Sequence, residues 1–571
     1  MIPDSHNEGP SPLARTLQLV RSERGGLTVA AIYSCAIGGL SLALPVAVQA
    51  LVNSVAFGSV LQPLFVLTIL VTAALLSSAV LHVLRTAVLE TVQRRIFVRH
   101  ASETLDTLLH VRAAALDRHH APELVNRFLE VVTVQKSSSV LLIDGLSVLI
   151  QTLIGLALLA AYHPWLLVFD LVLVAAILIV LFGFGRGAIA TSIAESHAKY
   201  DVLAWLEEVA RHTVAFRSRA AADMAVARAD SLVREYLRAR KRHFRIWFRQ
   251  IIGSQALQAL ALSGLLGIGG YLVIGGALTL GQLVAAELVV SMAVGSFAKF
   301  GKSLETFYDL EAALDKLGVL AGLPAERAGG EALPRAAAPA ALRVEDLRFG
   351  YDPRTPVISG VSFSAAPGTH IAVHGKGAAG KSTLMDLLYG LRDPDAGRIV
   401  LDGVDYRHAS LASIRDQVML VRGTEIIPAS VFDNVALGAP ATAADVRAAL
   451  ERSGAWRAVA ALPEGLNTIL SDSGRPLSPS QALRLTMARA ILHRPRLLLI
   501  DEALDAIDDL QVGGVLVQTL FAPDAPWTLV IATERPELFP LCDRVLVVDR
   551  GAAREETTAA AVSRATTEQI A

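Results

Sequence analysis

The sequence predicts two unlike halves: an all-α, membrane-spanning domain of about six helices, then an α/β domain with a mixed sheet. Three observations carry this. Apolar runs as long as a bilayer is thick crowd the first half. A glycine-rich loop at 375–382 sits between a short apolar strand and a stretch with helical spacing. Later in the chain, an unbroken apolar run ends in two carboxylates, as a parallel strand covered on both faces would.

The composition bounds the rest. The chain has 571 residues, 53% of them hydrophobic, with mean hydropathy +0.48. That is too apolar for an ordinary soluble enzyme. The net charge of −1 gives no bulk attraction to nucleic acid. Cys35 and Cys542 lie far apart, so neither a disulfide framework nor a metal cluster follows from them. The polar stretch before the first apolar run has no signal-peptide pattern.

Six runs are candidate spans: 27–48, 61–81, 140–162, 166–184, 251–274 and 283–300. Pro45 and the glycines around 267–270 are tolerable in membrane helices. Lys and Arg fall on alternate connections. Arg15, Arg21 and Arg24 precede the first run, and Arg85, Arg94, Arg95 and Arg99 follow the second. Arg186 and a basic stretch follow the fourth, and Lys299 and Lys302 close the sixth. The links 53–60, 163–164 and 275–282 carry neither residue. The positive-inside rule then puts both termini in the cytoplasm.

The two inside connections, 85–139 and 186–250, are too long for structureless loops. Charge at helical apolar spacing predicts helices that run on beyond the membrane. Bends are expected near 113–120 and 213–221, as contact points for the second half. Asp144, Asp170 and Glu287 are acids in or near apolar runs, where such groups are costly and often functional. Residues 321–342, rich in Ala, Pro and Gly, read as a linker. The expected domains are therefore 1–320, a linker 321–342, and 343–571.

In the second half, the run from Gly375 to Ser382 fits G-x-x-x-x-G-K-[ST], a phosphate-binding loop. Gly375, Gly377 and Gly380 would let the backbone curl so that its N–H groups face phosphates. Lys376, Ala378 and Ala379 complete the loop, and Thr383 follows it. Lys381 supplies a point charge, Ser382 a hydroxyl for Mg²⁺, and the following helix its N-terminal dipole. The strand 496–502 ends in Asp501, suited to face the metal, and Glu502, suited to activate water. Loop and acidic strand together read as a P-loop NTPase domain with ATP and Mg²⁺ as cofactors.

Six spans with long internal helices, then this domain, resemble one half of a bacterial ABC exporter. The resemblance implies more. Tyr351 stands where that family stacks an aromatic ring on adenine. Leu477-Ser478-Pro479-Ser480-Gln481 stands where the family signature is LSGGQ, so Ser478 and Gln481 would reach the partner's ATP. The segment 505–508 resembles the one that crosses to the partner after the general base Glu502. The resemblance implies an ATPase coupled to export of an unspecified substrate, in the inner membrane, paired with a second half-transporter as homodimer or heterodimer and surrounded by lipid. Residues 420–423 and 162–164 resemble the exporter branch that works with periplasmic adaptor proteins. No room for a proteolytic domain precedes the first span.

Three departures stand against rapid hydrolysis. The signature lacks both glycines, and Pro479 has no N–H. No Gln falls near Val421-Arg422-Gly423, where the family has one. Glu534 ends a strand where the family has His. These departures motivate a second reading, an ATP-binding regulatory or scaffold subunit with little hydrolysis of its own. An ATP-gated channel is a third.

Overall fold

The computed structural model describes residues 12–56, 61–117, 121–352 and 354–570. The chain divides into two compact units. One comprises residues 1–111 and 115–325, the other 112–114 and 326–571.

The first unit is helical throughout. Its longest helices, Leu61–His110, Arg219–Ile274 and Leu280–Ala321, have 50, 56 and 42 residues. At about 1.5 Å per residue, each greatly exceeds a hydrocarbon core of about 30 Å. The long internal connections are therefore mostly helix that prolongs the apolar runs, as their spacing predicts, interrupted at two bends. The first bend follows His110, and residues 118–120 of it lie outside the described residues. The second falls between Arg211 and Arg219, where the Ser218 hydroxyl accepts from the Ala221 N–H and caps the next helix.

Among the described residues, five helical stretches are long and apolar enough to cross a membrane: Arg24–Ser54, Leu64–His110, Leu124–Tyr162, Pro164–Arg211 and Arg219–Ile274. The sixth expected span appears as a shorter apolar stretch, Leu280–Gly295. The side chains of 296–302, including Lys299 and Lys302, lie outside the description. Pro45 breaks nothing, because it occupies the first turn of Ala43–Ala56, where no amide partner is needed.

With lipid as apolar as leucine, small residues and polar contacts must hold these helices together. A Cβ on Gly281 would lie 2.4 Å from Asn53 Oδ1 and 2.6 Å from Gln49 O. One on Gly269 would lie 2.4 Å from Leu283 Cδ1, and one on Gly155 2.7 Å from Val289 Cγ1. The helix Leu280–Ala321 thus packs against three others at backbone distance. Arg85 is buried and donates to the hydroxyls of Ser34 and Ser147, joining three helices. Asp170 is also buried, Glu287 is half-buried, and the Asp144 side chain is outside the description.

The second unit holds ten strands: β1 (Leu342–Phe349), β2 (Ile358–Ala365), β3 (His370–His374), β4 (Ala396–Leu401), β5 (Val404–Asp405), β6 (Val418–Arg422), β7 (Leu497–Asp501), β8 (Thr528–Ala532), β9 (Arg544–Asp549) and β10 (Ala552–Glu556). A small antiparallel sheet has the order β2-β1-β4-β5. A larger sheet has the order β10-β9-β3-β8-β7-β6, parallel except for the β10 edge. All residues of β3, β7 and β8 are buried, which explains the unbroken apolar runs at their centres.

The expected linker is folded for most of its length. From Glu326 onward it belongs to the second unit. Leu333 and Ala340 are buried in the core beneath the antiparallel sheet, and Arg415 binds both Glu326 oxygens at 2.7 Å. Its Pro and Gly residues disfavour a helix but not an extended strap with apolar anchors.

The alternation of Lys and Arg sets a topological expectation. A reporter fused after Ala571 should read cytoplasmic, and one inserted within 275–282 external. The reverse pattern would contradict this orientation.

Candidate functional site

Parallel strands deliver their C-terminal ends to one edge, where α/β proteins bind ligands. Here β3 leads into the loop 375–380, β6 ends at Arg422, β7 at Asp501 and β8 at Ala532, just before Glu534. Every expected phosphate-handling residue therefore meets at that edge.

The loop's shape depends on two glycines. A Cβ on Gly375 would lie 2.3 Å from Val548 O, so no side chain fits. Gly380 has φ +103°, a left-handed conformation open to glycine, and it precedes the helix Lys381–Tyr389. Gly377, by contrast, faces open space, and the remaining left-handed position is Ala378 at φ +63°. Lys376, Gly377 and Ala378 are exposed, while Ala379 is buried and donates its N–H to Lys376 O at 3.0 Å.

Lys381 is almost wholly buried. Its Nζ donates to Gly375 O at 2.6 Å and lies 3.1 Å from Glu502 Oε1 and 3.2 Å from Glu534 Oε1. Two half-exposed carboxylates thus hold one buried ammonium. Ser382 Oγ donates to Asp501 Oδ1 at 3.1 Å, and the other Asp501 oxygen receives Arg422 Nε at 2.6 Å. Arg422 also donates to Ser382 O at 3.0 Å and sits 2.8 Å from Asp386 Oδ1, an ion pair rather than an aligned hydrogen bond. Burial works against the Arg422 charge, but Asp386 and Asp501 outweigh it and raise its pKa.

Glu502 has φ +54°, costly for a residue with a Cβ, by about 1–3 kcal/mol. Its N–H donates to Ala532 O at 2.9 Å, which fixes the turn beside β8. Asp505 closes the arrangement. It accepts from Thr533 Oγ1 at 2.5 Å and from Glu534 N at 2.9 Å, and burial raises its pKa. Asp505 thereby positions Glu534.

Tyr351 lies on the same side, with its hydroxyl 3.1 Å from Thr383 Oγ1. The Arg392 guanidinium carbon is 4.7 Å from the Tyr351 ring centroid. Ser478 and Gln481 form a reciprocal cap at the start of the helix Pro479–His493: each side chain accepts the other's N–H, at 3.3 and 2.9 Å. Pro479 occupies the first helical position, where its missing N–H costs the helix nothing. Ser480 Oγ donates to Asp509 Oδ1 at 3.2 Å.

Sequence reasoning located the loop and both acidic residues, but missed Arg422, Asp386 and Asp505 as parts of the site. Arg422 stood out only through the absence of Gln. A signal for its partner exists: Asp386 lies on the helix that begins at Lys381, four residues after Ser382, so one helix face carries both.

Two family descriptions match the chain: "ABC transporter transmembrane region" over residues 27–297 and "ABC transporter" over 358–505. The chain belongs to the ABC transporter family. One membrane region and one such domain in a single chain is the architecture of a half-transporter. It is 31% identical over 309 residues to the mycobactin import ATP-binding/permease protein IrtB of Mycolicibacterium thermoresistibile, covering 54% of this chain and 53% of that protein. It is 29% identical over 307 residues to the cyclolysin secretion/processing ATP-binding protein CyaB of Bordetella pertussis, covering 53% and 43%. An ATP-dependent lipid A-core flippase of Paraburkholderia xenovorans is 35% identical over 228 residues, covering 39% and 38%. The chain thus spans about half the length of the curated relatives it matches, or less. A solved structure, a bacterial Atm1-family ABC exporter with ATP bound, has the same fold at TM-score 0.81 and 23% identity, covering 96% of this chain and 100% of that one.

Removing the buried ammonium tests the assembled site. Lys381→Ala deletes a charge-assisted contact worth about 1.5–3 kcal/mol. ATP affinity measured by titration should fall about ten-fold or more; unchanged affinity would sink the assignment.

Proposed function

We propose that this chain is one half of an ATP-driven exporter of the inner membrane, with both termini cytoplasmic. The observation that carries this reading is the edge where Lys381, Ser382, Asp501 and Glu502 converge on a loop of phosphate-binding sequence. Gly375, Gly377, Gly380 and their neighbours would present N–H groups to the phosphates, with Lys381 between them and Tyr351 against the base. Glu502 would orient and deprotonate the attacking water.

Ser382 Oγ and Asp501 Oδ1 are hard oxygen donors 3.1 Å apart, a pair that suits Mg²⁺. When bound there, Mg²⁺ would neutralise charge on the phosphates. The relatives' printed names include both import and secretion, so outward direction rests on the exporter-like architecture.

Two half-transporters would form the working unit, each signature facing the other's phosphate loop. The capped Ser478 and Gln481 would lie at that boundary. In a homodimer both sites would carry LSPSQ and Glu534. Pre-placed donors to developing negative charge are usually the largest catalytic effect, and losing one costs about 2.7–4 kcal/mol. A homodimer should therefore turn over slowly, and a partner with intact groups should speed it.

The test is ATPase activity of the purified chain. Glu534→His combined with Pro479→Gly and Ser480→Gly should raise the homodimer's rate by about a hundred-fold or more, the rate equivalent of one restored donor. Turnover of several ATP per second by the unaltered chain alone would show that the departures are tolerated.

A further inference from the structure

The helix Pro12–Ser22 carries two unlike faces. At about 100° per residue, Arg15, Leu19 and Ser22 fall on one side, and Leu17 and Val20 on the other. Leu17 and Val20 are exposed. The first side roofs a cavity of about 430 Å³, whose other walls come from the helices Leu61–His110 and Leu280–Ala321. The cavity lies wholly within the first unit.

Two guanidiniums line it. Arg15 lies over Gly318, where a Cβ would be 1.9 Å from Arg15 Nη1. That nitrogen donates to the carbonyls of Leu314 and Asp315 at 3.3 Å. The Asp315 carboxylate is 3.8 Å away and is shared with His197. Among the described residues, nothing engages Nε or Nη2 of Arg15. Arg99 gives Nη2 to the buried Glu23 at 2.7 Å and keeps its other nitrogens. His100 faces the same space, with Nδ1 3.2 Å from Glu103 and a buried Nε2 that has no partner. Glu103 is the one acid among the described lining residues, and Leu19, Leu314 and Leu317 make the wall apolar elsewhere. The cavity thus combines spare guanidinium donors, a small positive excess and an apolar surface.

Its depth identifies the occupant. The Glu23–Arg99 pair stands four residues before Leu27, where the first apolar run begins. That is about 6 Å along a helix, within a headgroup layer of about 5–8 Å per side. The outward face with Leu17 and Val20 suits the same boundary, where amphipathic helices bury their apolar side. We propose that this cavity holds a phospholipid of net negative charge from the adjoining leaflet. Its phosphodiester oxygens accept from Arg15 and Arg99, a pairing that guanidinium geometry favours. Its first acyl carbons lie on Leu19, Leu314 and Leu317. The inference rests on the membrane placement of the first unit and is independent of the ATP reading.

The experiment is native mass spectrometry of the full chain in detergent, titrated with phosphatidylglycerol or with phosphatidylcholine, reading the first lipid bound per chain. With two arginines on the phosphate, phosphatidylglycerol should bind about ten-fold more tightly or better. Arg15→Gln removes one of them and should lower that preference about five-fold. Ala321→Phe fills the cavity and leaves every charge in place, so it should lower the preference as well and reads the site independently of any damage from Arg15→Gln. Glycerol 3-phosphate added in excess should not displace the lipid. Equal affinity for the two lipids would overturn the proposal. So would a preference that survives Ala321→Phe, because the anionic lipid would then sit elsewhere on the chain. Displacement by glycerol 3-phosphate would overturn the lipid as the source and leave a site for a free phosphate.

Discussion

Lys381 is a buried ammonium, and its burial governs the site. An isolated charge taken out of water costs several kcal/mol unless paired. Gly375 O, Glu502 and Glu534 supply that pairing. The loop, the end of β7 and the turn after β8 are thereby tied to one nitrogen. In the proposed function, phosphate would enter against two carboxylates that already hold this charge. The same logic repeats one layer away, where Arg422 holds Asp501 and Asp386. Each buried charge of the site is thus paired within the chain itself.

This closure gives the departures from the family pattern a physical meaning. Glu534 is a ligand of Lys381, fixed through Asp505, rather than a free anion at the rim. Pro479 and Ser480 begin a well-capped helix, and Ser480 is engaged by Asp509. The altered residues thus have local partners in the structure. Under the proposed function their cost would fall on chemistry instead: fewer donors for developing negative charge and one more carboxylate near it.

Much of the fold was legible because its signals are long. Apolar runs, alternate basic connections and two unbroken apolar strands each extend over many residues and survive local irregularity. The 50- and 56-residue helices followed from charge at helical spacing in connections too long to be loops. The strap from Glu326 to Ala340 was not legible, because two buried apolar residues among Ala and Pro leave no period. In the site, Lys381, Ser382, Asp501 and Glu502 were named from spacing alone. Gly377 was expected to matter and faces open space, since motif glycines do not say which dihedral each must supply. Arg422 was hidden because its pairing with Asp501 arises from the register of β6 and β7, which sequence does not state, and Asp505 because its partners Thr533 and Glu534 lie in the turn after β8.

The central claim is that Glu534 competes with phosphate for Lys381. ATP affinity of Glu534→Gln measures it most directly. At a separation of about 4 Å in a solvent-exposed site, one unit of repulsion is worth about 1 kcal/mol. Removing the charge while keeping the shape should tighten ATP binding about five-fold, and the gain should shrink as ionic strength rises. Affinity that is unchanged or weaker in Glu534→Gln would contradict the account, because Glu534 would then be supporting the nucleotide site rather than opposing it.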